Sequence, residues 1–142
     1  MDRLSEAVDA SLRLMKSRER FPGEIREALL HKGFTADEAN AAVDHLTKKG
    51  LLSEARAAEA VLLRRSGRRA VGNARLALDL ERRGASAPLP QIEERGRAME
   101  ALSGRAGKSA NPGQVGRFLV SRGFSDETIR SILEELFPEA FG

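Results

Sequence analysis

The chain reads as an all-α protein of tandem three-helix repeats, and three observations lead there. Ala, Leu, Arg and Glu dominate while β-branched residues are scarce, a mixture that favours helix. No segment alternates apolar and polar residues as a half-buried strand would. The chain also repeats itself: residues 22–34, PGEIREALLHKGF, return at 112–124 as PGQVGRFLVSRGF, 90 positions later.

Across that interval Pro22/Pro112, Gly23/Gly113, Leu29/Leu119, Gly33/Gly123 and Phe34/Phe124 are identical, and Ile25/Val115, Leu30/Val120 and Lys32/Arg122 are conservative pairs. Thr35/Ser125, Val43/Leu133 and Leu46/Leu136 continue the match. A fainter copy between them places Leu76, Leu80, Arg83, Gly84 and Ser86 where Ile25, Leu29, Lys32, Gly33 and Thr35 stand. Each feature has a physical role. Proline at the first helical position lacks only an N–H that would be unpaired anyway, so it opens a helix. Positions 25, 28 and 29 form one apolar face. Gly33 and Gly123 suit the left-handed conformation that ends a helix. Thr35 then caps a second helix, with Glu38 completing a capping box. Ser125 caps its counterpart, where Asp126 and Glu127 put negative charge at the positive helix end. Ala39, Ala42, Val43 and Leu46 face inward, and Gly50 stops the helix.

A further helix precedes each pair. Leu4, Val8, Leu12 and Met15 make a stripe in the first; Ser53 caps the next, with Ala57, Ala58, Val61 and Leu62 inside. Repeats are drawn at 1–50, 51–90 and 91–137, with a tail at 138–142. The 51–90 span is short, and the third unit is shortened around residues 85–111. The 27 residues between Gly84 and Pro112 are too few for two full helices with turns. Pro88 and Pro90 delay the restart, which predicts one helix from about Gln91 to Leu102. Residues 103–111, SGRAGKSAN, read as a loop.

With six Phe, no Trp and no Tyr among 142 residues, the core is modest. The absence of Cys excludes a disulfide scaffold and a thiolate metal site. No apolar run approaches the roughly 20 residues that span a membrane, and Met1–Arg20 lacks a signal-peptide core. A cytoplasmic protein without membrane contact is expected. Gly107-Lys108-Ser109 resembles the end of a phosphate-binding loop, but the pattern requires Gly where Leu102 stands, and no strand precedes it. His31 and His45 sit among polar neighbours on different helices, with no metal spacing. Glu93/Glu94 and Glu134/Glu135 read as solvated helix faces rather than acid/base pairs. No catalytic residue, metal or cofactor is expected, and the chain does not read as an enzyme.

Charge is uneven: residues 1–50 are net zero, 51–124 net +7 and 125–142 net −4. Arg64, Arg65, Arg68 and Arg69 close the helix that begins at Ser53, and Arg75, Arg82 and Arg83 follow on the next. Positive charge at a helix C-terminus is favourable by about 0.3–1 kcal/mol, which accounts for one or two of them. Four arginines around Gly67 exceed that need, and Arg suits a bidentate grip on carboxylate or phosphate. These seven residues form the candidate partner- or phosphate-binding site. Asp79, at helical spacing from Arg75 and Arg82/Arg83, is expected to neutralise part of it. No Phe lies in the segment to stack bases, so any nucleic-acid contact would be electrostatic and salt-sensitive.

Four ordered pieces resemble the RecX family: Ser17-Arg18-x-Arg20 with Glu24-Ile25 and Lys32-Gly33-Phe34; Gly50-Leu51-Leu52-Ser53-Glu54 with Ala58; Gly72-x-x-Arg75-Leu76-x-x-Asp79-Leu80-x-x-Arg83-Gly84; and Arg122-Gly123-Phe124-Ser125. They run from about Leu12 to Leu136. Ser53 departs from the family's usual acid, Ala57 from its usual aromatic, and the region 85–111 is shortened. The resemblance implies tandem three-helix repeats in an elongated, curved array. It also implies a monomeric, non-enzymatic modulator that binds the RecA nucleoprotein filament, with phosphate contacts to single- or double-stranded DNA left open. It would limit strand exchange, ATP hydrolysis and coprotease function. A competing reading is a helical DNA-binding module independent of RecA, and a third a generic helical adaptor. A major-groove reader needs Arg, Asn or Gln at the start of a second helix. Here those starts are Thr35-Ala36-Asp37-Glu38 and Ser125-Asp126-Glu127, which repel DNA.

Overall fold

A computed structural model of the protein describes residues 2–88, 93–103 and 110–141, and every regular element among them is helical. In chain order these are α1 (Arg3–Leu14), α2 (Pro22–His31), α3 (Ala36–Lys48), α4 (Glu54–Arg64), a 3-10 turn at Gly67–Arg69, α5 (Asn73–Arg82), α6 (Glu94–Leu102), α7 (Pro112–Ser121), α8 (Asp126–Leu136) and the single turn α9 (Pro138–Phe141). The chain divides into two compact units: Met1–Val61 with Leu80–Pro88, and Leu62–Asp79 with Leu89–Gly142.

In the first unit α1 and α2 both pack on α3. Pro22 opens α2, and Thr35 caps α3 by accepting the Glu38 N–H at 3.1 Å while Glu38 accepts the Thr35 N–H at 2.8 Å. Ile25, Leu29, Ala39, Ala42, Leu46 and Leu52 are buried together with Ala7 and Ala10. The buried face of α1 differs from the expected stripe: Ala7, Ala10 and Ser11 are inside, whereas Leu4 and Leu12 are exposed. Small side chains let α1 lie close to the alanine face of α3, and the Ser11 hydroxyl is satisfied by donating to the Ala7 carbonyl at 2.8 Å. Before α2, Arg18 and Arg20 each donate to Glu24 Oε2 at 2.7 Å, which joins three residues of the sequence motif in one ion cluster. Ser53 accepts the Arg56 N–H at 3.2 Å and so caps α4, as expected.

The second unit repeats this construction. α6 and α7 pack on α8, and Val115, Leu119, Phe124, Ile129 and Ile132 join Ala98, Ala101 and Leu102 in one core. α7 has the same 10-residue length as α2 and also opens on a proline, with Asn111 and Gln114 forming its capping box. Ser125 accepts the Thr128 N–H at 3.2 Å and caps α8. Between Gly84 and Pro112 the described residues hold one α-helix, which starts at Glu94 rather than Gln91. Gln91 itself, Pro90 and residues 104–109 of the expected loop lie outside the described residues.

Both closing glycines hold the expected left-handed backbone, with φ of 98° at Gly33 and 80° at Gly123. A side chain there costs about 1–2 kcal/mol. Their surroundings differ: nothing lies within 4 Å of a Cβ built on Gly33, whereas one on Gly123 would meet Arg75 Cβ at 2.9 Å. Gly33→Val is therefore expected to lower stability by about 1–2 kcal/mol, and Gly123→Val by more. Denaturant melts of the two variants check both the loss and the order.

Candidate partner-binding surface

The seven arginines divide by environment. Arg64, Arg65, Arg68, Arg69 and Arg75 belong to the second unit, Arg82 and Arg83 to the first. Arg64 ends α4, and Arg68 and Arg69 lie in the 3-10 turn. All three are exposed, and their side chains have no hydrogen-bond or ion-pair partner among the described residues. Arg65, one position on, is engaged: its Nε donates to Asp79 Oδ2 at 3.1 Å. Asp79 thus neutralises Arg65, just past the end of α4, rather than Arg75 or Arg82/Arg83 in or just after its own helix. Arg75 turns instead to the Ser121 carbonyl, with Nη1 at 3.2 Å. Arg82 is exposed at the end of α5. Arg83 is half-buried, and its Nε is buried with no partner among the described residues.

The turn that carries Arg68 and Arg69 is gripped by its backbone. The Gly67 N–H donates to Glu100 Oε2 of α6 at 3.0 Å. Arg122, at the end of α7, donates through Nη1 to the carbonyls of Arg68 at 2.9 Å and Ala70 at 3.1 Å. Ala70 and Val71 are buried behind the turn. Two guanidinium groups are thereby presented to solvent from a fixed backbone, an arrangement that lowers the ordering cost of binding. Leu63, 77% exposed, adjoins Arg64 and adds an apolar side chain to this cationic segment.

Sequence reasoning missed the residue that anchors this region. Glu94, expected on a solvated face, is half-buried and hydrogen-bonded. Its carboxylate accepts the Asn73 N–H at 2.7 Å, the Ser125 N–H at 3.0 Å and the Ser125 hydroxyl at 2.9 Å. It therefore caps α5 and α8 together. Burial alone would raise the Glu94 carboxyl, but hydrogen bonds from the Thr128 side chain, the Asn73 and Ser125 amides and the Ser125 hydroxyl outweigh it and hold it below the usual carboxylate range. Arg97, one turn along α6, donates to Asn73 Oδ1 at 2.6 Å and to the Val71 carbonyl, and burial pulls its guanidinium below its ordinary value. Glu93 is no free carboxylate either, since it accepts the Gly96 N–H and caps α6. Glu134 and Glu135 are exposed as expected, though Arg95 donates to Glu135.

In the first unit Glu54 does the same work, accepting the Ser86 N–H at 2.9 Å and the Ala87 N–H at 2.8 Å. Ser86 and Ser125 each stand two residues after a helix-closing glycine, with an acid 32 or 31 positions earlier. That recurrence is the signal that could have found both acids. His31 and His45 are exposed.

Fold and surface together define a small all-helical protein with a backbone-clamped cationic turn. No family model matches the chain. Among curated proteins it is 33% identical over 135 residues to regulatory protein RecX of Acidithiobacillus ferrooxidans, covering 91% of this chain and 89% of that one. It is 32% identical over 140 residues to regulatory protein RecX of Halorhodospira halophila, covering 89% and 86%. The crystal structure of RecX from Lactobacillus salivarius shares the fold, with a TM-score of 0.71 at 18% identity over 95% of this chain and 97% of that one. The chain belongs to the RecX family of regulatory proteins.

The Glu94 carboxylate is depressed in the folded protein, so its contribution is present above the ordinary Glu pKa and is lost as pH falls through the folded value. Glu94→Gln keeps the shape but sets an amide N–H among donors. It is expected to cost about 1–3 kcal/mol at neutral pH and to flatten the acid limb of the stability profile. Chemical denaturation of both proteins across the acid range checks this.

Proposed function

We propose that this chain is a non-enzymatic regulator that binds the RecA nucleoprotein filament and limits its strand exchange, ATP hydrolysis and coprotease activity. Family membership and the four ordered sequence pieces support the reading. The observation that carries it is the set of exposed guanidinium groups of Arg64, at the end of α4, and of Arg68 and Arg69, on a turn held by Glu100 and Arg122. Carboxylates on a protein surface and phosphates on DNA both suit such groups. Arg75 adds to the cationic segment of the second unit, and Arg82 is an exposed arginine of the first. Arg65 is paired with Asp79 and Arg83 is half-buried, so both are less available to a partner.

The reading as an independent DNA-binding module is disfavoured by the second helices of the repeats. α3 begins with Asp37 and Glu38, and α8 with Asp126 and Glu127, charges that oppose entry into a groove lined by phosphates. In the proposed reading the protein acts as a cytoplasmic monomer without cofactor, built of helical repeats at 1–50, 51–90 and 91–137. No helix among the described residues is long and apolar enough to cross a membrane.

Replacing Arg64, Arg68 and Arg69 by Glu, with Arg65 left to its Asp79 partner, is expected to leave helical content intact, because Glu is nearly as good a helix former as Arg. Inhibition of RecA's DNA-dependent ATP hydrolysis should weaken by more than about tenfold, and wild-type inhibition should fall as salt rises. Titration of ATPase rate against each protein at two salt concentrations measures both. A variant that inhibits as well as wild type at low salt contradicts the assignment.

A further inference from the structure

The two copies of the Pro-opened helix pair differ on the outer face between their helices. In the first unit Arg26 of α2 reaches across to α3, donating through Nε to Asn40 Oδ1 at 2.8 Å, and so bridges the helices. Ninety positions on, Gly116 stands for Arg26 and Arg130 for Asn40, so the bridge is gone. What remains is a groove lined by Gly116, Val120, Ile129 and Leu133, with Arg117, Arg130 and Asp126 at its edges. Val120 is 63% exposed, whereas its counterpart Leu30 is half-buried.

The charge at the rim has changed as well. Arg117 replaces Glu27, and Arg130 replaces the neutral Asn40. Both arginines are exposed and lack an ion pair among the described residues. Asp126 is the one acid in the lining, and it serves the positive end of α8. An apolar floor between two free guanidinium groups complements an acidic peptide segment that brings an apolar side chain. A nucleic-acid strand would leave Val120, Ile129 and Leu133 without apolar company.

We infer that the α7–α8 groove is a second docking site, for an acidic segment with an apolar anchor on the protein component of the filament. The inference rests on the proposed filament reading and extends it to a different surface. Gly116 is the key: with only Leu133 Cδ1 at 3.8 Å from its Cβ position, a longer side chain fits there, and Glu would fill the groove and set a negative charge between the two rim arginines. Gly in a helix interior is a poor helix former, so Gly116→Glu should fold at least as well as wild type.

The test is cosedimentation with RecA filaments assembled on single-stranded DNA, with binding measured for wild type, Gly116→Glu and the Arg117→Glu/Arg130→Glu double variant. Both variants are expected to bind about tenfold more weakly. Because the chain has no cysteine, Val120→Cys places a single photo-crosslinking label at the groove. It should join to an acidic peptide of the filament protein, and adding Gly116→Glu should abolish that product. Variants that bind like wild type overturn the inference while the filament reading stands. So does a product joined to DNA or to a second copy of this chain, or the absence of any product from protein that still cosediments. Failure of wild type to cosediment overturns the filament reading and this inference with it.

Discussion

The second unit depends on one carboxylate. Glu94 satisfies the exposed amide at the start of α5 and the amide and hydroxyl at the start of α8. A helix start leaves amides without intrahelical partners, and a half-buried acid that accepts from two such starts fixes both to its own helix. Arg97 and Glu100 extend the tie along α6. Arg97 holds Asn73 and the Val71 carbonyl, and Glu100 holds the Gly67 amide. The cationic turn is therefore placed by α6, although none of its arginines contacts Glu94. Charged acceptors make such bonds strong, at about 1.5–3 kcal/mol each, which exceeds what exposed ion pairs elsewhere in the chain supply.

The features legible in the sequence are those set within one helix turn. Pro22, Pro112, Gly33, Gly123, Thr35 and Ser125 act on their own backbone, so their roles follow from residue type and position. The packing of α1 was less legible because hydropathy ranks leucine above alanine. Close helix contact reverses that order, so Ala7 and Ala10 are inside while Leu4 and Leu12 are not. The capping roles of Glu94 and Glu54 were not legible for a different reason. Each acts over more than 30 positions, and an isolated acid at a helix start reads equally well as a solvated charge. The arginine centre shows the same limit at close range. Arg64 and Arg65 are neighbours in sequence, yet only the second reaches a carboxylate.

The duplicated helix pair also shows how a repeat acquires a role without a new fold. The opening prolines and closing glycines stay, and the inward positions stay apolar although Ala39 and Ala42 have become Ile129 and Ile132. The outward residues are free to change, and Arg26, Glu27 and Asn40 have become Gly116, Arg117 and Arg130. The net effect removes a bridge, opens an apolar face and makes its rim positive. In the proposed reading the cationic turn and the altered groove, both in the second unit, make it the principal contact of this RecX-family protein with its filament. The first unit is net neutral, and its Arg3, Arg20 and Arg56 are committed to Glu38, Glu24 and Glu19.

Hydrogen exchange on the full chain, free and bound to RecA filaments on single-stranded DNA, tests that division most directly. Binding is expected to slow exchange in residues 64–70 and across α7 and the start of α8, with α1 to α3 little changed. Protection confined to α1–α3, with the 64–70 segment exchanging as fast bound as free, would contradict the account.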